Sequence, residues 1–517
     1  MFLFLSLASS QGLGSSSVQG AFGAVTIDGK IWNQVALRPI IPIGKVSVAL
    51  DIVFYIDQNG NIHDDEWDFS DGKKSKNSII DKIYYIRYGK KWDPFYFQVG
   101  ALDNVTLGKG ILVNRYTNTI LYPQVRKVGM DIKFKVSGFN FYGFTNDFKE
   151  NLGLTGFRVS KNIINGINIG GSFVADRNQY LGLRDSDNDG RPDLVDDFPD
   201  DPLYWLDTDG DGIADVDPNE LDIDGDGVTD TLDSNIPGWD LDSIYVLDTD
   251  IMRKPEPLNV QNRKRSIYAV SLDASKTILA ESNMSVSIYA QFASLIGKTV
   301  DPISAEEVSL GNGFIPFGLS TKLGPARFKF EYRMMPSGKF EFGYWDRSYE
   351  IERATFSSSF MNDNSGLRTG EIITKDSRLG KFGKQKGYFS TLSIDLGEMV
   401  GASMSYQNLF GEQWNENENN FNNDRNQSFI AGIRLKKPIS KITNARWYYQ
   451  QRNVPNPFDF EFTESTISGY RVGIKLGNGM ILNYIFRQSF RDIDGDGKVN
   501  GKDETINMTS IETSFSF

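Results

Sequence analysis

The chain has 517 residues, 67 acidic against 55 basic, with a formal net charge of −12, no cysteine and one histidine. That length accommodates several soluble domains or one very large sheet. The absence of cysteine excludes disulfides, thiolate metal sites and a cysteine-linked lipid anchor, and the lone histidine, His63, argues against a zinc centre or histidine-based proton transfer.

Residues 1–10 (MFLFLSLASS) are an apolar run ending in small residues, which reads as the end of a secretory signal peptide cleaved near Ser10. The run is short and lacks a basic leader, as expected of a sequence that starts at an internal methionine. No stretch of about 18 apolar residues follows, so no membrane-spanning helix is predicted. Residues 11–178 and 264–517 alternate instead. In one segment Ala326, Phe328, Phe330, Tyr332 and Met334 interleave with Arg327, Lys329, Glu331 and Arg333. In another Met284, Val286, Ile288, Ala290 and Phe292 interleave with Ser285, Ser287, Tyr289, Gln291 and Ala293. The same period recurs over residues 132–136, 429–435, 445–449 and 480–486. It is the period of a strand with one apolar and one polar face.

A soluble β-sandwich alternates too, so number, length and ending must separate the two. About 20 such segments of roughly 10 residues occur, the length a tilted strand needs to cross a bilayer, and helical periodicity is nearly absent. Aromatics at Trp447, Tyr448, Tyr449, Tyr344 and Trp345 suit interfacial girdles. The last segment sets Ile511, Thr513, Phe515 and Phe517 against Ser510, Glu512, Ser514 and Ser516 and stops on Phe517. That ending resembles the closing strand of bacterial outer-membrane barrels, and the resemblance implies a terminal aromatic read by the barrel assembly machinery. The expected fold is all-β, a large antiparallel transmembrane β-barrel of about 20 strands (between about 16 and 22), lodged in outer-membrane lipid of a Gram-negative-type bacterium.

Residues 179–263 interrupt the alternation. From Asp185 to Asp250 lie 23 of the 67 acidic residues and one of the 55 basic ones, Arg191, which leaves 44 acidic and 54 basic residues elsewhere. Three times Asp occupies alternate positions with Gly after the third: Asp185, Asp187, Asp189; Asp207, Asp209, Asp211; Asp222, Asp224, Asp226. Carboxylates so close repel one another unless a hard cation with six to eight oxygen ligands joins them. In calcium loops oxygens come from positions 1, 3, 5, 7, 9 and 12, with Gly at 6. The first repeat supplies Gly190, Asp193 and Asp196 at positions 6, 9 and 12, and the third supplies Gly227, Asp230 and Asp233. The second has Gly212 and Asp215 but Pro218 at position 12, so Asp217 or Glu220 must substitute. A fourth copy, at residues 492–503, offers Asp492, Asp494, Asp496, Asn500 and Asp503. The tandem resembles the thrombospondin type 3 repeats of bacterial surface proteins, without their usual cysteine. The resemblance implies a calcium-wrapped, nearly coreless segment, and about three to four Ca2+ ions are expected. The plainer alternative is a solvated acidic linker.

Connections test the barrel reading. Short links near residues 42–45, 90–94, 137–138, 323–325, 397–399, 437–441 and 477–479 alternate with long ones at 57–78, 104–124, 179–263, 361–384, 411–426, 454–465 and 491–505. Such barrels have short periplasmic turns and long outer loops, so parity puts all four calcium loops outside the cell. Many polar-face residues are basic: Lys133, Lys135, Arg327, Lys329, Arg333, Arg434, Lys436, Arg446 and Arg487. In a barrel that face lines the lumen, where an excess of positive charge favours anionic solutes; paired with acids, the same residues would fill a closed interior. The apolar loop 104–124 either folds into the lumen, setting Lys109 and Arg115 at a constriction, or forms another strand pair. His63 lies beside Asp64, Asp65 and Glu66, but no nucleophile motif accompanies it and the basic residues are not clustered as in nucleic-acid binders, so neither an enzyme nor a nucleic-acid partner is expected. Two functions remain: a porin-like channel, or a surface adhesin that uses the barrel as anchor and the repeats as the face for an extracellular ligand.

Overall fold

The computed structural model describes residues 17–516 apart from 28, 64–66, 124, 226, 228–251, 361–367, 416–417, 478, 492–498, 500 and 502–503. Twenty-one strands form one antiparallel sheet in chain order, and the first, Ser17–Ile27, pairs with the last, Thr505–Ser516, from Gln19↔Ser516 to Val25↔Ser510. The sheet is therefore a closed barrel. Val46–Leu50 and Ile52–Ile56 both pair with Lys30–Ile43 and are one stave broken at Asp51, so the barrel has twenty staves.

The alternation sorts side chains as the sequence requires. Along Ala326–Met335, Glu331 and Arg333 are buried while Phe328 and Tyr332 are exposed. Along Ile267–Ala280, Ala269, Ser271 and Asp273 are buried and Tyr268, Val270 and Leu272 are exposed. Leaving one such apolar side chain in water forgoes roughly 1.5–3 kcal/mol. Repeated around the barrel, the outward row makes a belt suited to acyl chains. No helix among the described residues is long and apolar enough to cross a membrane.

The chain ends share one end of the barrel with the tight links at residues 44–45, 89–94, 137–138, 163–166, 281–283, 324–325, 397–399, 436–441 and 478–479. At one of them Ser137 (φ 50°) and Gly138 (φ 80°) both adopt the left-handed conformation of a two-residue hairpin whose twist matches its strands. Besides the tight hairpin at residues 28–29, the other end carries residues 57–82, 101–128, 146–153, 177–266, 297–311, 336–381, 416–419, 455–466 and 491–504. The aspartate-rich insertion and the 491–504 connection thus leave from the same end.

Several loops differ from expectation. Residues 411–426 belong largely to strands, Val400–Asn415 and Asn420–Leu435, because above the apolar belt both faces of a hairpin are wet and no alternation marks it. Residues 57–82 contain a helix, Gly72–Asp81, whose first turn is capped by the Asp71 carboxylate accepting from the Lys74 N–H at 2.8 Å. The excursion expected at 361–384 begins at 336. Tyr344 and Trp345 are accordingly not in a girdle but wholly buried at the barrel's centre, after the left-handed Gly338 and Gly343 have ended the strand.

That centre is built from two inward loops. Residues 101–128 carry apolar side chains that water disfavours, and twenty staves enclose a lumen wide enough to receive them. The Gly343 and Trp345 N–H groups donate to the carbonyls of Ile111 (2.8 Å) and Leu112 (3.1 Å), and the Asn114 N–H donates to Trp345 O (3.0 Å). Around this short seam Val105, Leu107, Leu112, Val113 and Tyr116 pack with Phe340, Phe342, Tyr344, Trp345 and Tyr349. Polar groups that enter with them find partners, as at Asn118, whose Oδ1 accepts from Leu102 N at 2.7 Å and whose Nδ2 donates to Asn146 O at 2.8 Å. Buried charges of this centre are paired. Lys127 reaches Glu350 at 2.7 Å and also Glu150, while Arg353 reaches Glu150 at 3.0 Å and Glu350 at 3.1 Å. Of the two alternatives for loop 104–124, the lumenal one holds, and the loop and residues 336–353 together form a plug.

Candidate functional site

Between the plug and the wall formed by the strands Phe382–Leu396, Val400–Asn415, Asn420–Leu435 and Ile442–Val454 lies a cavity of about 450 Å³. Its lining includes Arg115, Arg327, Arg333, Arg347, Arg434, Arg446 and Arg452, opposed by Asp103, Asp346 and Asp395. Five of these arginines sit on strands, Arg327 and Arg333 on the adjoining Ala326–Met335 and Arg434, Arg446 and Arg452 on the wall, and Arg115 and Arg347 come from the plug. Arg452 is bound to Glu341 (2.8 Å) and Asp346 (2.6 Å), Arg333 to Glu331 (2.6 Å), and Arg327 lies 3.9 Å from Asp395. Among the described residues Arg115, Arg347 and Arg434 make no ion pair. Arg115 is held by its backbone, in the left-handed region (φ 59°) with its N–H on Thr106 Oγ1 at 3.0 Å.

A second cavity of about 130 Å³ shares Asp103, Arg347, Arg446 and Tyr448 with the first and adds Arg38, Arg471, Arg487 and Glu512. At the junction the guanidinium carbons of Arg347 and Arg446 stand 5.4 and 6.0 Å from the Tyr448 ring. Arg38 is neutralised by Asp51 (2.7 Å) and Glu512 (2.8 Å), whereas Arg471 and Arg487 make no ion pair among the described residues. A third cavity, of about 530 Å³, lies along the wall of Gly129–Val136 and Leu154–Asn162, with Lys133, Lys135 and Arg158 in its lining. Arg158 is bound there to Asp273, while Lys109 packs toward Tyr289 at 5.4 Å, so of the two cations placed at a constriction by the sequence, only Arg115 lines the first cavity. The lumen is thus partly filled by paired charges and partly open beside unpaired arginines. Sequence reasoning missed Arg347, since nothing in the WDRS stretch marks it as lumenal.

The aspartate repeats are also laid out by geometry. In each one the carboxylate at position 1 accepts the N–H of the glycine at position 6: Asp185 from Gly190 (3.1 Å), Asp207 from Gly212 (2.9 Å) and Asp222 from Gly227 (2.8 Å). Position 3 accepts from the N–H of position 5, as Asp187 does from Asp189 (3.0 Å) and Asp209 from Asp211 (3.1 Å). In Asp185, Asp187 and Asp222 one oxygen thereby closes the loop and the other is left for the centre, whereas both oxygens of Asp207 accept N–H groups, from Gly210 (2.7 Å) and Gly212. Oxygens of Asp185, Asp187 and Asp189 lie within 4.8 Å of one another, as do those of Asp207, Asp209 and Asp211. Asp185 Oδ1, Asp187 Oδ2, Asp196 Oδ2 and Asp222 Oδ1 are buried without a hydrogen-bond partner. Burial first, and then the charges of Asp189 and Asp187, push the Asp196 carboxyl up to about 6.

Three of the carboxylates expected as ligands, Asp193, Asp215 and Asp217, have hydrogen-bond partners within the protein. Asp193 and Asp215, at position 9, accept from both the N–H and the hydroxyl of the residue at position 2, Ser186 (2.7 and 2.8 Å) and Thr208 (2.7 and 2.8 Å). They staple the loop shut, and Arg253 caps Asp215 at 3.0 Å. Asp217 turns away to the Tyr204 hydroxyl (3.0 Å) and the Asn219 N–H (2.8 Å). Glu220 instead faces the second repeat: burial raises its carboxyl above the ordinary range, and the charges of Asp211 and Asp209 add to the shift. Asp224 accepts the Met252 N–H at 2.9 Å. Asp226, Asp230, Asp233, Asp492, Asp494, Asp496, Asn500 and Asp503 lie outside the described residues. His63 packs edge-on against Trp32, ring centroids 4.8 Å apart.

No protein-family model matches the sequence, and no curated protein matches it. Among solved structures the chain is similar to Pseudomonas aeruginosa OccK10 (OpdN), at 7% identity over 98% of this chain and 99% of that one, with a TM-score of 0.35. It is similar also to the P. aeruginosa outer membrane protein opdK (8%, 97% and 98%, TM-score 0.33) and to Acinetobacter baumannii OccAB4 (9%, 97% and 97%, TM-score 0.32).

Proposed function

We propose that the protein is a channel of the outer membrane that passes small anionic solutes, with calcium holding its extracellular aspartate loops. The observation that carries the channel reading is the first cavity, beside the plug, whose lining holds seven arginines against three aspartates. In a low-dielectric enclosure an excess of that size attracts anions and repels cations, because each unpaired guanidinium is screened less than on an open surface. Planar-bilayer recording of the refolded protein tests it. Steady conductance with an anion-selective reversal potential in a salt gradient is expected; a folded, inserted barrel that does not conduct would leave it an anchor and overturn the reading.

The calcium reading rests on the unpartnered oxygens of Asp185, Asp187, Asp196 and Asp222 and on the repeated position-1 and position-3 geometry. Asp185, Asp187, Asp189 and Asp196 would hold one ion, and Asp207, Asp209, Asp211 and Glu220 another. Terbium luminescence and calorimetric titration of the intact protein test it: millimolar or tighter calcium binding supports it, and its absence leaves a solvated acidic linker. The outward Phe515, whose ring covers Gly20 of the first strand, belongs to the closing strand that we assign to recognition by the assembly machinery.

A further inference from the structure

Residues 455–466 join Ile442–Val454 to Ile467–Gly477 and, unlike the plug loops, fold outward. Tyr406, Phe429 and Gln451 lie opposite one another on three neighbouring staves, and Tyr449 lies opposite Ala431. These residues face away from the lumen, since the alternate residues Gln450 and Arg452 reach inward to Ser348 (3.0 Å) and Asp346 (2.6 Å) of the plug. The outer wall is nevertheless covered here. The Phe458 ring lies 5.2 Å from Phe429 and 5.9 Å from Tyr406, Phe460 lies 6.4 Å from Tyr449, and Phe462 stacks on Phe490 at 4.5 Å. Gln451 Nε2 donates to Glu461 O at 2.6 Å, and Ser465 Oγ donates to Arg452 O at 2.6 Å, which ties the segment to the stave. Its acids are held elsewhere: Asp459 accepts from Asn456 Nδ2 at 2.7 Å and Glu464 meets Arg378 at 2.6 Å.

Phe458, Phe460 and Phe462 therefore alternate along a strap on the outside of the barrel, and they remain 49%, 64% and 40% exposed. The strap is continuous with the outward belt of the same staves, where Met404, Ile433 and Trp447 are 48%, 50% and 42% exposed. We infer that residues 455–466 are a membrane-facing strap whose three phenylalanine rings lie among the acyl chains of the outer leaflet. A loop leaving the cell-surface end would ordinarily project into water; this one turns back along the wall, and aromatic rings are the side chains that best suit the boundary between acyl chains and headgroups.

The absence of cysteine makes the test clean, because a single introduced cysteine is the only one to label. Nitroxide labels at Phe458→Cys and Phe460→Cys, in protein reconstituted into phospholipid vesicles, would be compared with Ile433→Cys on the wall and Leu203→Cys on the aspartate-rich insertion. Expected is relaxation enhancement by oxygen exceeding that by a water-soluble nickel chelate, as at Ile433. Chelate-dominated enhancement, as at Leu203, would place the strap in water and overturn the inference. Protection from both reagents, with dipolar broadening between labels, would show a second copy of the chain covering the rings, and would overturn it equally.

Discussion

Reversing charge at two arginines of the cavity beside the plug tests the channel reading most directly. Arg115 and Arg434 line it from opposite sides, one on the plug and one on the wall, and neither has an ion-pair partner among the described residues. Their replacement by glutamate removes no ion pair of the described structure. An anion passing about 5 Å from one guanidinium is stabilised by about 0.8 kcal/mol at the dielectric of water, and a Debye length of about 8 Å in 0.15 M salt roughly halves this. Swapping Arg for Glu changes the interaction by twice that screened value, about 0.9 kcal/mol, or roughly fourfold in anion preference per site. The double variant R115E/R434E should lower the partition of anions into the cavity on the order of tenfold to twentyfold, and raise that of cations by a similar factor. It shifts the lining from seven arginines against three acids to five against five, so the reversal potential in a salt gradient should fall close to zero. Conductance in 1 M salt should change little, because the Debye length there is about 3 Å. An unchanged reversal potential at low salt, from a correctly folded variant, would mean that ions do not pass this cavity.

Other perturbations address the plug and the repeats. Trp345→Ala removes a wholly buried ring from the plug and should cost about 3–5 kcal/mol locally, seen as larger, noisier conductance in bilayers and an intact barrel by circular dichroism. Lys127→Met leaves Glu150 and Glu350 sharing Arg353 alone; breaking a buried pair costs about 3–5 kcal/mol, so amide exchange of residues 344–353 should accelerate on the order of 10²-fold or more. Asp207→Asn and Asp185→Asn should each abolish one calcium equivalent by calorimetry, whereas Asp217→Asn should leave both intact. Calcium affinity of the first repeat should fall as pH drops through about 6, because Asp196, raised by burial, takes up a proton there and the ion must displace it; above that pH the bare loop carries the uncompensated charge and gains most from calcium.

The wall was legible in the sequence because lipid on one side and a polar lumen on the other impose a strict period of two, as at Ala326–Met335, and because Phe515 and Gly20 close the seam where the last strand was expected. The ends of the barrel were legible by parity alone. The plug was only half legible. Loop 104–124 announced itself by being apolar without acids, but Phe340 and Phe342, which lead into Tyr344 and Trp345, alternate with Lys339 and Glu341 as in a strand, and nothing short of the left-handed glycines around them says that these rings meet each other rather than lipid. In the aspartate loops the turn itself was readable, because the spacing of positions 1, 3 and 6 dictates which N–H groups the carboxylates meet. The grip of the position-9 carboxylate on a serine or threonine at position 2 was not readable, because it depends on a hydroxyl the motif does not include. The outward strap left no sequence signature beyond FDFEF, which a surface strand would share.

The pairing of Gln19 with Ser516 also bears on how the molecule is put together in time. A sheet whose first and last strands are mutual neighbours has two open edges until its final dozen residues arrive, and pairing ends so far apart in the chain is slow compared with forming neighbouring hairpins. The plug comes from residues 101–128 and 336–353, both upstream of the closing strand. Its aromatic cluster and its Lys127–Glu350 bond can therefore assemble against a curled but open sheet, with Glu512 arriving last to meet Arg38. Closure then traps the interior, as a stitched seam fixes whatever has already been placed inside.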